Sequence, residues 1–209
     1  MSSPEIPAPR PPPIVAILRG VKPDEVVAVA GALVAAGVRA IEVPLNSPDP
    51  LESIRRLCQA YGDVALCGAG TVLTPQAVDE VAAVGGKLIV TPNTDPEVIA
   101  RAVALGLTVM PGFATPSEAF AAVKAGARAL KLFPAGAFGP GHIKAVRDVL
   151  PKDVLVYAVG GVGAANIEPW RAAGVAGIGV GGELYRPGYS AQEVSEKAAA
   201  LVAAWNAQA

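Results

Sequence analysis

Three charged side chains stand where the surrounding sequence calls for apolar ones. Lys131 lies inside Ala129-Leu130-Lys131-Leu132-Phe133-Pro134, Glu42 inside Ala40-Ile41-Glu42-Val43-Pro44, and Arg19 closes the run that begins at Ile14. A lysine among apolar neighbours is poorly solvated, and burial can lower its pKa by as much as ~3–5 units. A neutral amine at pH 7 is a nucleophile that forms Schiff bases with carbonyls. The plainer alternative is a lysine whose stem lies on an apolar wall while its ammonium reaches water. A carboxylate in an apolar strand suits a general acid/base tuned upward by burial, or else an ion pair with Lys131 or Arg19. The planar guanidinium of Arg19 suits a carboxylate or phosphate, unless it is simply a surface loop arginine.

Two further runs, Ala158-Val159-Gly160-Gly161 and Gly179-Val180-Gly181-Gly182, each finish on paired glycines. Bare backbone N–H groups ahead of a helix make an anion cradle, although glycine pairs also serve plain turns. Other chemistry-bearing residues are weaker candidates. His142 is the one histidine of the chain, which disfavours multi-imidazole metal sites and His-based triads; we expect it exposed at a helix start. Cys67 reads as a small core residue, and two cysteines, Cys58 and Cys67, make no disulfide framework. No metal or cofactor is expected.

These residues need a scaffold, and the chain repeats one unit. A short apolar run is followed by a turn and an Ala-rich stretch ending near glycine. Runs begin near Ile14, Ala40, Val64, Leu88, Leu107, Ala129, Val154 and Ala176. Their spacing averages about 23 residues, enough for a strand, a helix and two short loops. Pro23-Asp24-Glu25 is read as opening the first helix, and Pro75, Pro96 and Pro116 as opening others. Gly37, Gly62, Gly85, Gly106, Gly126 and Gly174 are expected as left-handed helix ends. Val194, Ala198, Leu201 and Trp205 fall at helical spacing, as a packing face would. The runs lack two-residue alternation, which fits parallel strands buried on both faces. Eight such units predict a single-domain (β/α)8 TIM barrel over 14–209, preceded by a proline-rich, extended arm over 1–13. An open doubly wound sheet is the alternative, but no G-x-G-x-x-G with a suitably placed acid is present. In a barrel, strand C-termini carry the chemistry. Those positions include Arg19, Glu42, Thr71, Pro92, Lys131, Val159 and the glycine pairs, whereas Lys87 precedes its strand and belongs to the opposite face.

Composition agrees. The 209 residues suggest one domain, with 52% hydrophobic and 17% charged residues. Seventeen basic against eighteen acidic residues leave −1, so no nucleic-acid or anionic-membrane partner is implied. The first 13 residues hold six prolines and no apolar core of a signal peptide. No run of 18 apolar residues is free of Gly, Pro or charge, as a membrane span requires. A reduced, cytoplasmic setting is the expectation.

Taken together, VAILRG, AIEVPLNSP, GAGTVL, LIVTPN, MPGFATPSEA, ALKLFPA, AVGGV and GVGGELY resemble the pyruvate-forming, Schiff-base aldolases of 2-keto-3-deoxy-6-phospho sugar acids, from about Val15 to the last helix. PLNSP and AVGG are more similar to the galactonate branch than to the gluconate branch. The resemblance implies retro-aldol cleavage of a phosphorylated keto-deoxy sugar acid to pyruvate and D-glyceraldehyde 3-phosphate, in a homotrimer of barrels. It makes Lys131 the Schiff-base lysine and Glu42 the proton-transfer carboxylate, acting through a water. Arg19, Thr71 and Pro92 then surround the carboxylate and pyruvate-derived carbons, and Gly160, Gly161, Gly181 and Gly182 hold phosphate. Val159 stands where gluconate-type relatives carry threonine, and Gly182 where relatives commonly carry serine. The proline arm replaces an N-terminal helix of many relatives. A phosphate-binding barrel isomerase or synthase, a non-catalytic binder and a metal-dependent aldolase are the competing readings.

Overall fold

Parallel pairing of the apolar runs builds the protein, whose computed structural model describes residues 11–207. The strands are β1 (Ile14–Ile17), β2 (Ala40–Pro44), β3 (Leu66–Gly70), β4 (Leu88–Val90), β5 (Thr108–Met110), β6 (Gly112–Phe113), β7 (Ala129–Leu132), β8 (Leu155–Val159) and β9 (Gly177–Val180). They form one sheet in the order β5-β4-β3-β2-β1-β9-β8-β7-β6, and every pairing is parallel. The two ends of that order are halves of one chain segment. Pro111, which has no N–H to donate, divides them. Its carbonyl accepts from the Lys131 N–H at 2.9 Å, and the Met110 carbonyl accepts from Thr91 N–H at 3.3 Å. The wall therefore runs nearly unbroken around a barrel of eight strand segments, the fifth broken at Pro111.

Helices alternate with the strands on the outside: α1 (Val26–Ala35), α2 (Pro50–Tyr61), α3 (Pro75–Ala83), α4 (Pro96–Ala104), α5 (Pro116–Lys124), α6 (Ala135–Phe138), α7 (Pro140–Arg147), α8 (Ile167–Ala172) and α9 (Ala191–Asn206). Prolines at the first turn of α3, α4 and α5 set φ where no intrahelical donor is needed, and Thr74, Asp95 and Thr115 cap these helices. Two expectations need correcting. Pro23-Asp24-Glu25 forms a turn ahead of α1 and not its first turn. Gly62 has φ −62° and ends α2 right-handed, whereas Gly37, Gly85, Gly106, Gly126 and Gly174 are left-handed as expected. After β7 the connection is also more complex than one helix, since α6 and α7 share it.

Alternation along each strand sorts the core into two layers. Outward strand residues such as Ile41 share the layer between barrel and helices with Ile54 and Leu57 of α2 and Ile99 of α4, each contributing about 1.5–3 kcal/mol by burial. Val194, Ala198 and Leu201 of α9 are buried in this layer, with Trp205 at its margin. Inward, Val15, Ala40, Leu88, Val90, Met110, Ala129 and Tyr157 fill the lower barrel. Of the arm, residues 1–10 lie outside the described residues. Pro11 and Pro13 lie against the barrel floor, their carbonyls accepting at 2.7 Å from the Tyr157 hydroxyl and the Ile178 N–H. No helix among the described residues is long and apolar enough to cross a membrane.

Candidate active site

Two residues above the inner layer, the barrel changes character. Ala40 is followed two positions on by Glu42, Ala129 by Lys131 and Tyr157 by Val159, so all three face inward near the C-terminal mouth. Glu42 on β2 and Lys131 on β7 stand on opposite walls, second and sixth of the eight strand segments. Both are deeply buried, with 2% and 6% of their surface exposed. Dry surroundings are what make the pair reactive. Burial pushes the Glu42 carboxyl up to about 7, against the opposing pull of Lys131 and then Arg19. Burial brings the Lys131 amine down to about 8, with Glu42 opposing the fall and Arg19 assisting it. Desolvation thus outweighs mutual attraction for each. Among the described residues no ion pair holds Glu42, and its Oε2 is buried without a hydrogen-bond partner. An unpaired carboxylate oxygen in an apolar wall is costly, as a group kept for proton transfer would be.

The remaining candidates ring this pair. Arg19 follows β1 and is exposed; its Nη1 donates to the Asn46 Oδ1 at 2.5 Å. Thr71, directly after β3, has φ 56°, a left-handed strain that a non-glycine residue adopts only when its surroundings impose it. Pro92 is half-buried after β4, and Val159 is buried at the end of β8. Gly160 and Gly161 have φ 91° and 79°, which glycine alone adopts freely. Gly181 and Gly182 lack that requirement, and a Cβ at Gly182 would meet nothing nearer than Arg186 Nε at 3.7 Å. The backbone therefore admits a serine at Gly182, and its absence is a matter of sequence.

Other residues lie beside these candidates that the quoted motifs contain but to which no role was assigned. Phe133 places the centre of its ring 5.0 Å from Lys131 Nζ and lies against Gly160, where an added Cβ would meet the ring at 3.4 Å. Gly70 lies where any Cβ would overlap the Glu42 carboxylate. Asn46 and Ser47 fasten the Arg19 loop, the Ser47 Oγ accepting from Gly20 N–H at 2.9 Å. Asn46 and Ser47 belong to the PLNSP motif, and Gly70 is an inward glycine at the end of its strand. Lys87 is exposed ahead of β4, on the opposite face, as read. The hydrogen bond with Cys58, together with burial, pushes the Cys67 thiol far up, so it is no nucleophile. His142 departs from expectation: it is half-buried in α7, its ring centred 4.9 Å from that of Phe138 of α6 and tilted 41° to it.

This chain matches the family model described as KDPG and KHG aldolase over residues 9–199. It belongs to that aldolase family. It is 55% identical over 193 residues to the 2-dehydro-3-deoxy-6-phosphogalactonate aldolase of Escherichia coli K12, covering 92% of this chain and 94% of that one. A solved structure named "Native KDPGal structure" superposes with a TM-score of 0.92 at 54% identity, over 93% of this chain and 95% of the other. A Legionella pneumophila KDPG aldolase, in which pyruvate was captured as a covalent carbinolamine, gives a TM-score of 0.81 at 26% identity, over 90% and 93%. The eight-unit barrel and aldolase chemistry read from the sequence agree with these relatives.

Proposed function

We propose that this aldolase cleaves 2-dehydro-3-deoxy-6-phosphogalactonate, reversibly, to pyruvate and D-glyceraldehyde 3-phosphate. The observation that carries the reading is a buried amine, lowered to about 8, facing a buried carboxyl raised to about 7 across one apolar barrel. The Lys131 amine attacks the C2 carbonyl, and the carbinolamine loses water to give a protonated imine. The C3–C4 bond then breaks, its electron pair passing into the imine to leave an enamine. The C4 hydroxyl becomes the aldehyde and gives its proton to Glu42 through a water. Protonation at C3 and hydrolysis of the imine release pyruvate and restore the amine.

Around this chemistry Arg19 holds the C1 carboxylate, while Thr71 and Pro92 flank the pyruvate carbons. Gly160, Gly161, Gly181 and Gly182 offer backbone donors to the phosphate, fixing the reacting bond between two anchored ends. The resemblance to the family also supports a cytoplasmic homotrimer. Borohydride added with pyruvate should leave a reduced adduct on the peptide carrying Lys131, read by mass, and release of pyruvate from the galactonate substrate should be measurable with lactate dehydrogenase. A protein without that adduct is an isomerase, a metal-dependent aldolase or a binder.

A further inference from the structure

The loop after β2 grips the loop after β1 at two consecutive residues. Asn46 Oδ1 accepts from Arg19 Nη1 at 2.5 Å, and the buried Ser47 Oγ accepts from the N–H of Gly20, whose φ is 83°. The strand ends below are already joined, Leu18 N–H donating to the Glu42 carbonyl at 2.9 Å. Arg19 is thus tied to the strand that carries Glu42, by its backbone and by its side chain. A guanidinium has five donors in a rigid plane. One contact at Nη1 restrains the guanidinium and leaves its other donors for an incoming carboxylate.

We propose that Asn46 is a positioning residue for substrate: it orients the Arg19 guanidinium without neutralising it, so that the carboxylate of a 2-keto acid meets a full positive charge. This rests on the assignment of Arg19 to the substrate carboxylate. The neutrality of the partner is the point. An aspartate of the same shape reaches the same nitrogen, but it spends the charge on an ion pair before substrate arrives. Among the described residues no acidic side chain pairs with Arg19, although Arg19 is exposed and acids are numerous. The charge is felt further in, since Arg19 acts on both Glu42 and Lys131.

Asn46 is exposed, so replacing it leaves the core untouched. The readout is the pyruvate concentration that half-saturates cyanoborohydride trapping on Lys131. Asn46→Asp should raise it about tenfold and Asn46→Ala about threefold, fractions of the roughly 10- to 100-fold that a charge-assisted hydrogen bond commands. Trapping of acetone, which has no carboxylate, should change less than twofold in either variant. In an Arg19→Ala background, which alone should raise the pyruvate value most, Asn46→Asp should add nothing. If Arg19→Ala leaves the pyruvate value unchanged, the assignment of Arg19 fails. If Arg19→Ala raises it while Asn46→Asp does not, Arg19 stands and the role of Asn46 is refuted. Equal losses with pyruvate and acetone, or an undiminished Asn46→Asp effect without Arg19, also overturn the proposal by showing a merely structural contact.

Discussion

Glu42→Gln separates two roles proposed for the carboxylate, one toward the substrate and one toward Lys131. It removes the proton acceptor, so cleavage should fall by ~10²–10⁴-fold. It also removes a negative charge that holds the lysine proton on. Desolvation alone favours the neutral amine, and Glu42 opposes it. At pH 7 a lysine with the ordinary value of 10.5 is about 0.03% neutral, whereas one at about 8 is about 9% neutral, a gain of about 300-fold. A nearby opposite charge is worth about 1–3 units. Taking about one unit, the Lys131 midpoint in Glu42→Gln falls from about 8 to about 7. The amine is reactive above its midpoint, so the trapping profile moves toward acid. At pH 7.5, where a Glu42 at about 7 is about three-quarters ionised, the neutral fraction rises from about 24% to about 76%, roughly threefold.

Arg19 acts in the other direction, lowering the lysine as a neighbouring cation does. Arg19→Gln should therefore move the profile toward alkali. The assay is the rate of cyanoborohydride trapping at saturating pyruvate across pH, each variant normalised to its own plateau. Saturation removes any effect of Arg19 on pyruvate binding, and normalisation removes slower proton transfer in Glu42→Gln. The reasoning is refuted if the Glu42→Gln midpoint stays at or above that of the wild type, or if both variants shift the same way.

Lys131→Arg should abolish cleavage and trapping while leaving the circular dichroism spectrum unchanged, because arginine offers no neutral amine; near-normal turnover in a purified variant excludes the imine route. Gly70→Ala should lower kcat by about 10²-fold with a smaller change in KM, since its methyl displaces the Glu42 carboxylate from its place; an unaltered kcat means that carboxylate does not work from where it lies. A chelator should leave cleavage unchanged, because the imine accepts the electrons that a metal would otherwise draw; loss restored by zinc or magnesium contradicts this. Val159 presents no donor or acceptor where a substrate hydroxyl at C4 is expected, so Val159→Thr should raise kcat/KM for the gluconate epimer relative to the galactonate one by about ten- to a hundredfold. An unchanged ratio of the two epimers shows that Val159 does not read C4.

The barrel was legible because its signals are local and repeat. Each apolar run is short, each helix after β3, β4 and β6 opens on a proline, and five of the six expected glycine ends are left-handed. What escaped depends on what lies across the chain. The helix after β2 ends at Gly62 without the left-handed turn, because its N–H already bonds the Cys58 carbonyl with φ at −62°. Nothing local marks Pro111 as the break around which a wall of parallel strands closes. The helix start at which His142 lies says nothing of the Phe138 ring beside it.

The site divides the same way. Lys131 and Glu42 announce themselves because a charge in an apolar strand breaks the local pattern. Their relation does not: strands two and six of a barrel face each other only once the wall closes, and no spacing within 42–131 encodes that. The neighbours proposed here to support the pair carry fainter signals. Gly70 is one glycine among 23, yet it leaves the volume into which the Glu42 carboxylate folds. Asn46 is an ordinary loop residue until Arg19 is seen to lean on it. A sequence displays groups that are costly to bury and conceals the small or neutral ones that make their burial possible. Those second residues are found by asking of each buried charge what leaves it room, and what near it has declined to neutralise it.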